Sequence, residues 1–215
     1  MTDNNPADND GAAGRAASDI RELILRRSIL PGEQVRQEDL AKQIGTSRGP
    51  VREALQVLAV EGIVRYERNR GYFVTRFTTS EMRQLYLIRD LLESEILAGL
   101  PKVKRETLDQ LRAINGRIQA SNDDLDTVIR LNRDFHDLVI AQSPLNLLKA
   151  QLQHISRMTL AYQALSVNSL TNFDLLVSDH ARMISALAEG DNQLLVELSR
   201  THRETSLSRL APILG

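Results

Sequence analysis

The sequence predicts a mainly α-helical protein in two parts: three helices with a β-hairpin, then an all-helical antiparallel bundle. Two observations carry this expectation: the hydrophobic period changes near residue 78, and no strand signal appears after Thr79. The charge changes at the same place. Residues 15–78 hold 12 Lys and Arg against 8 Asp and Glu, whereas residues 79–215 hold 15 against 17. A basic module followed by a slightly acidic one directs only the first toward a polyanion. The expected organisation is a disordered polar tail at 1–14, a first module at 15–78 and a helical domain at 79–215.

Within the first module, Ile20, Leu23 and Ile24 stand at helical spacing in 16–28. The segment LPGEQV (30–35) reads as a turn. A short amphipathic helix at 37–44 stops at Gly45. Thr46 or Ser47 is placed to cap the next helix, which runs to about Val60 with Val51, Ala54, Leu55 and Leu58 inward. Gly62 ends it, and IVRYE and GYFVT then read as two strands around the turn Arg68-Asn69-Arg70-Gly71. Beyond Thr79 the pattern predicts six helices, at about 79–99, 104–120, 124–142, 145–166, 172–189 and 191–211. The breaks are Leu100-Pro101, Ser121-Asn122-Asp123, Ser143-Pro144, the polar stretch SVNSLTN (166–172) and Gly190-Asp191. Short connections favour antiparallel neighbours.

Composition removes several function classes. The 215 residues include no Cys, which excludes disulfides, Cys-based zinc fingers, iron–sulfur clusters and thiol nucleophiles. No apolar run approaches the ~20 residues of a membrane span, and no secretory signal is visible. A cytoplasmic protein without a membrane partner is the expectation.

Two short helices around a tight turn, the second opening on small and basic residues, form a helix-turn-helix pattern; the hairpin adds a wing. In that geometry the amino end of the second helix enters the major groove of double-stranded DNA. Here that end is Ser47-Arg48-Gly49-Pro50-Val51-Arg52. Arg48 and Arg52 are one turn apart and share a face, and an Arg fork fits the O6 and N7 acceptors of guanine. The Ser47 hydroxyl and the backbone N–H groups beside it suit a phosphate oxygen. Gly49 allows close backbone approach, and Pro50 sits in the first turn where its missing N–H costs nothing. The wing turn, Arg68 to Gly71, puts two cations on a tip suited to a minor groove or flanking phosphates. Arg36 precedes the first helix of the pair and joins the candidate contacts. Two Arg on one helix face are by themselves ordinary solvated charge; their joint placement with the wing is what points to DNA.

The run Ser47-Arg48-Gly49-Pro50-Val51-Arg52-Glu53-Ala54-Leu55, with Leu40-Ala41, Ile44-Gly45, Leu58, Glu61-Gly62 and Arg70-Gly71-Tyr72-Phe73-Val74, resembles the N-terminal domain of GntR-family bacterial transcription regulators. The helical remainder resembles the ligand-binding domain of the fatty-acid-regulator-like branch of that family. The resemblance covers about residues 16–212. It implies operator contacts at Ser47, Arg48, Gly49, Pro50, Arg52 and Asn69 to Gly71. It departs at Gly49, where the family usually has Thr.

All four histidines, His136, His154, His180 and His202, lie in the helical domain. Several imidazoles from different helices can build a metal site in a bundle core. Asn132 and His136 are one turn apart on one face. The resemblance implies a site at Asn132, His136, His180 and His202 for a divalent transition metal, Zn or Ni. The family often has Asp where this chain has Asn132, so the protein shell would carry no charge and bind more weakly. His154 matches no ligand position. Arg89 is the candidate contact to a carboxylate effector; its ordinary alternative is a salt bridge to Glu93 or Asp90. The resulting expectation is a homodimeric, non-enzymatic transcription regulator that binds operator DNA, a metal and a small organic acid. The alternative is a metal-dependent hydrolase on the three-His site, but no HExxH-like acid–base arrangement accompanies it.

Overall fold

The computed structural model describes residues 6–121, 123–168 and 173–214. Among these, ten helices and three short strands follow the chain, which divides into two units.

The first unit comprises residues up to Phe77 together with Arg157–Tyr162. Helix α1 (Pro6–Leu25) corrects the expected tail: residues 6–14 are helical, while 1–5 lie outside the described residues. Proline suits a helix start and alanine its interior. Ala13, Ala16 and Ala17 are moreover buried, so the small side chains serve packing. The segment expected as a plain turn contains strand β1 (Gln34–Val35), whose Gln34 and Val35 face Phe73 and Tyr72 of β3. Gly32, at φ 86°, makes this possible by turning its N–H onto the Val74 carbonyl, 2.9 Å away. Helices α2 (Gln37–Gln43) and α3 (Arg48–Val60) follow, with Gly45 at φ 67° between them. Strands β2 (Val64–Glu67) and β3 (Gly71–Val74) complete an antiparallel sheet of order β1-β3-β2. Ile20 and Ile24 of α1 share the unit's buried core with Val51, Ala54, Leu55 and Leu58 of α3.

The second unit holds residues 78–156 and 163–215. The helices from Thr79 onward are α4 (Thr79–Ala98), α5 (Arg105–Ala120), α6 (Leu125–Ala141), α7 (Asn146–Met158), α8 (Leu160–Asn168), α9 (Phe173–Glu189) and α10 (Asn192–Leu214), of which the end of α7 and the start of α8 fall in the first unit. Thr78 and Glu81 form a reciprocal capping box at α4, and Asp124 caps α6 through the Thr127 N–H. One expected helix, 145–166, is two, because the chain breaks at Thr159. The break falls inside 157–162, the piece that belongs to the first unit, where the Tyr162 hydroxyl accepts from the Phe77 N–H at 2.8 Å. Of the expected break at 166–172, residues 169–172 lie outside the described residues, as does Asn122 of the break at 121–123. Ile96, Leu97, Leu111, Phe135, Met183, Leu187 and Leu195 are buried in one cluster that joins α4, α5, α6, α9 and α10. Among the described residues no helix is long and apolar enough to cross a membrane.

Candidate nucleic-acid interface and candidate metal centre

Helix α3 presents its amino end to solvent. Ser47 occupies the N-cap position with extended backbone, and its side chain makes no capping hydrogen bond. Arg48 and Arg52 are both exposed, as are Ser47 and Arg36, and Gly49 is half-buried. Arg48 forms an ion pair with Glu38 of α2. Pro50, expected at the interface, is buried against the core of the first unit, and it has no N–H to give a phosphate.

The wing tip is exposed at Arg68, Asn69 and Arg70. Asn69 takes a left-handed φ of 63° and Gly71 a φ of 91°, which closes the turn. Glu67 binds both Arg65 and Arg70. Their guanidinium carbons lie 5.4 and 4.9 Å from the Phe73 ring centre. The Gln34 side-chain amide donates to the Arg70 carbonyl at 2.5 Å, which ties β1 to the wing.

In the helical unit, α6, α9 and α10 bring His136, His180 and His202 together. One nitrogen from each lies within 4.8 Å of the others. His180 is fully buried and stacks flat on Phe135, centroids 3.9 Å apart and planes 4° apart. Burial holds the pKa of both His136 and His180 well below 6.5, with the neighbouring imidazoles adding to the effect. Both rings are therefore neutral near pH 7, the form that ligates a metal. Both His180 ring nitrogens and the Asn132 amide oxygen are buried without a hydrogen-bond partner. Leaving such atoms unpaired costs about 1–3 kcal/mol each. A cation coordinated there would take one of the two His180 nitrogens and so remove part of that cost, and the donor set fits a metal ion. Asn132 stands one turn before His136 on α6.

A cavity of about 190 Å³ opens beside His136, lined also by Arg89, Glu93, Asp137, Lys149 and Gln153. His154, half-buried on α7, is not among its lining residues. Arg89 lines this cavity and also donates to Glu93 at 3.2 Å, so the two readings of Arg89 coexist.

Two family models match this chain. Residues 84–205 match the FCD domain, and residues 12–74 match the bacterial regulatory proteins of the gntR family. The chain belongs to the GntR family of regulators. An uncharacterized HTH-type transcriptional regulator of Bacillus subtilis (strain 168), YdhC, is 25% identical over 179 residues, covering 81% of this chain and 80% of its own. The gluconate operon transcriptional repressor of the same organism is 25% identical over 191 residues, covering 85% and 78%. The solved structure of E. coli McbR/YncC shares the fold, with a TM-score of 0.78 at 18% identity over 94% of this chain and 96% of that one. The protein is thus a DNA-binding transcriptional regulator with an FCD effector-binding domain and not an enzyme, since its domains and relatives are regulators. The hydrolase alternative has no support among them.

In this GntR-family chain, sequence reasoning missed the polar network between α4 and α10. Glu93, 3% exposed, accepts from Ser199 Oγ at 2.7 Å and lies 2.6 Å from Arg203, 5% exposed. Arg203 and Arg200 also hold Asp90. Burial alone would raise the Glu93 carboxyl, yet the Arg89 and Arg203 charges and the Ser199 hydrogen bond bring it below its ordinary value. No local signal marks these partners, because they stand 106 or more residues apart. Asp179 was missed as well, although it directly precedes His180.

Proposed function

We propose that the FCD domain of this regulator binds a divalent transition metal, zinc or nickel, and a small organic-acid effector that changes operator affinity. The observation that carries the reading is the convergence of three imidazoles with unpartnered buried donors beside a cavity that holds Arg89. His136, His180, His202 and the Asn132 amide oxygen would hold the ion. When bound, it would supply a fixed positive charge that attracts a carboxylate. Arg89 and Lys149 add two cations to the same cavity, alongside the carboxylates of Glu93 and Asp137. Its volume of about 190 Å³ lies below the ~300–1,000 Å³ of drug-sized pockets, which favours a compact acid. A relative regulates a gluconate operon, and sugar acids belong in the first library tested.

On the DNA side, Arg48 and Arg52 would read base edges, while Ser47, Gly49, Arg36 and the wing residues Arg68, Asn69, Arg70 and Gly71 would fix the backbone. A homodimer would place two such units on a palindrome. Exposed Leu87, Ile88 and Leu91 form an apolar stripe on α4 of the kind that self-association covers. Effector and operator must then change each other's affinity by the same factor.

The test combines metal analysis of the purified chain, thermal shifts against a carboxylate library with and without metal, and gel shifts on its own promoter region. The reading expects bound zinc or nickel that His180→Ala removes, a metal-dependent rise in melting temperature with one class of acid, and altered operator binding with that acid. Absence of metal and of any acid-dependent shift would leave a regulator without this sensor.

A further inference from the structure

The metal-site reading leaves an electrostatic gap. Three neutral imidazoles and an amide contribute no charge to a divalent ion, because position 132 is Asn and not a carboxylate. The structure holds a carboxylate close by that is not a donor itself. Asp179 Oδ2 lies 3.2 Å from His202 Nδ1, reaching from α9 to α10. Among the described residues it is the carboxylate hydrogen-bonded to one of the three rings, and the group of mutually close donors does not include it. Both partners are sheltered, with side chains 11% and 19% exposed for His202 and Asp179.

A carboxylate accepts and does not donate, so the proton of a neutral His202 ring sits on Nδ1. That leaves the Nε2 lone pair free. A carboxylate placed behind a ligand imidazole fixes its tautomer and orientation and makes it more basic. Asp179 also acts on Arg209, the burial of which lowers its pKa while Asp179 opposes the shift.

We propose that Asp179 is a positioning residue for the metal site: it fixes His202 to present Nε2, and it supplies from one imidazole away the negative charge that Asn132 does not. This rests on the metal reading above, and the experiment separates the two. The full chain, stripped with a chelator, is titrated with zinc and with nickel against a chromogenic competitor, for wild type, Asp179→Asn, Asn132→Asp, the double variant and His180→Ala. Asn at 179 retains an acceptor oxygen but removes the charge. Its affinity is expected to fall roughly 10–100-fold. Adding Asn132→Asp is expected to restore affinity to within a few-fold of wild type, because the charge returns by the other route. Urea midpoints of the metal-free proteins check that each variant folds. Long-range ¹H–¹⁵N spectra of the metal-free wild type are expected to show His202 protonated on Nδ1, a signature that needs no metal.

Wild-type affinity in Asp179→Asn, an unrescued double variant, or a His202 proton on Nε2 would each overturn the role of Asp179 while leaving the site itself intact. A wild type that binds no more tightly than His180→Ala would overturn the metal site, and the role of Asp179 with it.

Discussion

The two units handle charge in opposite ways. In the first, the cations near the proposed DNA face are exposed, and their carboxylate partners hold them at the surface: Arg48 on Glu38, Arg65 and Arg70 on Glu67. In the second, Glu93 and Arg203 pair inside the core, and His180 is buried with neither ring nitrogen hydrogen-bonded. Surface pairs are cheap to make and to break, which suits side chains that must turn to a phosphate. Buried pairs are costly to break, which suits a frame that must hold three imidazoles in place.

The sharpest way to break this comparison is Glu93→Gln. It removes the carboxylate that Arg203, 5% exposed, shares with Arg89 and leaves Arg203 with Asp90 alone; removing one partner of a buried pair costs up to about 3–5 kcal/mol. The urea transition of the helical unit is expected to move accordingly. The surface counterpart, Glu38→Gln, is expected to change stability by no more than about 1 kcal/mol. Equal effects of the two substitutions would erase the distinction.

Acid should reveal the same asymmetry. Glu93 and Asp90 both have folded pKa values lowered by Arg203 and their other arginines, against the opposing effect of burial. A carboxyl lowered in the folded state binds fewer protons there than in the unfolded chain, so stability rises with pH across the interval between the two values. The contribution of Glu93 is therefore complete above its ordinary value of 4.5 and is lost as pH falls toward the lowered folded one. Thermal unfolding followed from pH 6 to pH 3 should show this slope, and Glu93→Gln should flatten it.

The same contrast explains what could be read in advance. The helix-turn-helix is encoded locally: Gly45, Ser47 and the inward set Val51, Ala54, Leu55 and Leu58 lie within 14 residues of one another. Strand β1 was hidden because two residues, Gln34 and Val35, become a strand only through their partners Phe73 and Tyr72. The helix break at Thr159 was hidden for a related reason, since residues 157–162 serve the first unit. Residues 1–14 read as a tail because they are polar and rich in Gly, Ala and Asn, and the burial of Ala13 shows only in the fold. In the helical unit, His136, His180 and His202 drew notice as residue types, and the structure brings them together. Their support did not, because Asp179 meeting His202 depends on how the neighbouring helices α9 and α10 align, and Ser199 meeting Glu93 on how α4 and α10, far apart in sequence, align. Spacing reports which face a residue is on and not what stands opposite.

Arg48 and Arg52 sharpen the comparison from the DNA side. Each guanidinium that reads a base is worth about 1–3 kcal/mol of discrimination. Arg48→Ala and Arg52→Ala are each expected to weaken operator binding roughly 5–150-fold, with little change in the urea midpoint. Affinity must fall more for the operator than for scrambled DNA. A uniform loss across sequences would move both residues from base reading to phosphate contact.

The smallest expected effect belongs to Glu67. Its carboxylate holds Arg65 and Arg70, the side chains of which also lie over Phe73. Glu67→Gln removes the anion but leaves the aromatic platform, so both guanidinium groups keep their seat and lose their competitor for phosphate. Exposed pairs of this kind are worth at most about 1 kcal/mol, which limits the gain in DNA affinity to a few-fold. The gain should appear on scrambled as well as operator DNA, because a phosphate contact carries no sequence information. It should also steepen the salt dependence, by about 0.9 in log–log slope if one further phosphate is engaged. A weaker complex would mean that the carboxylate, and not Phe73, aims the wing arginines at the duplex.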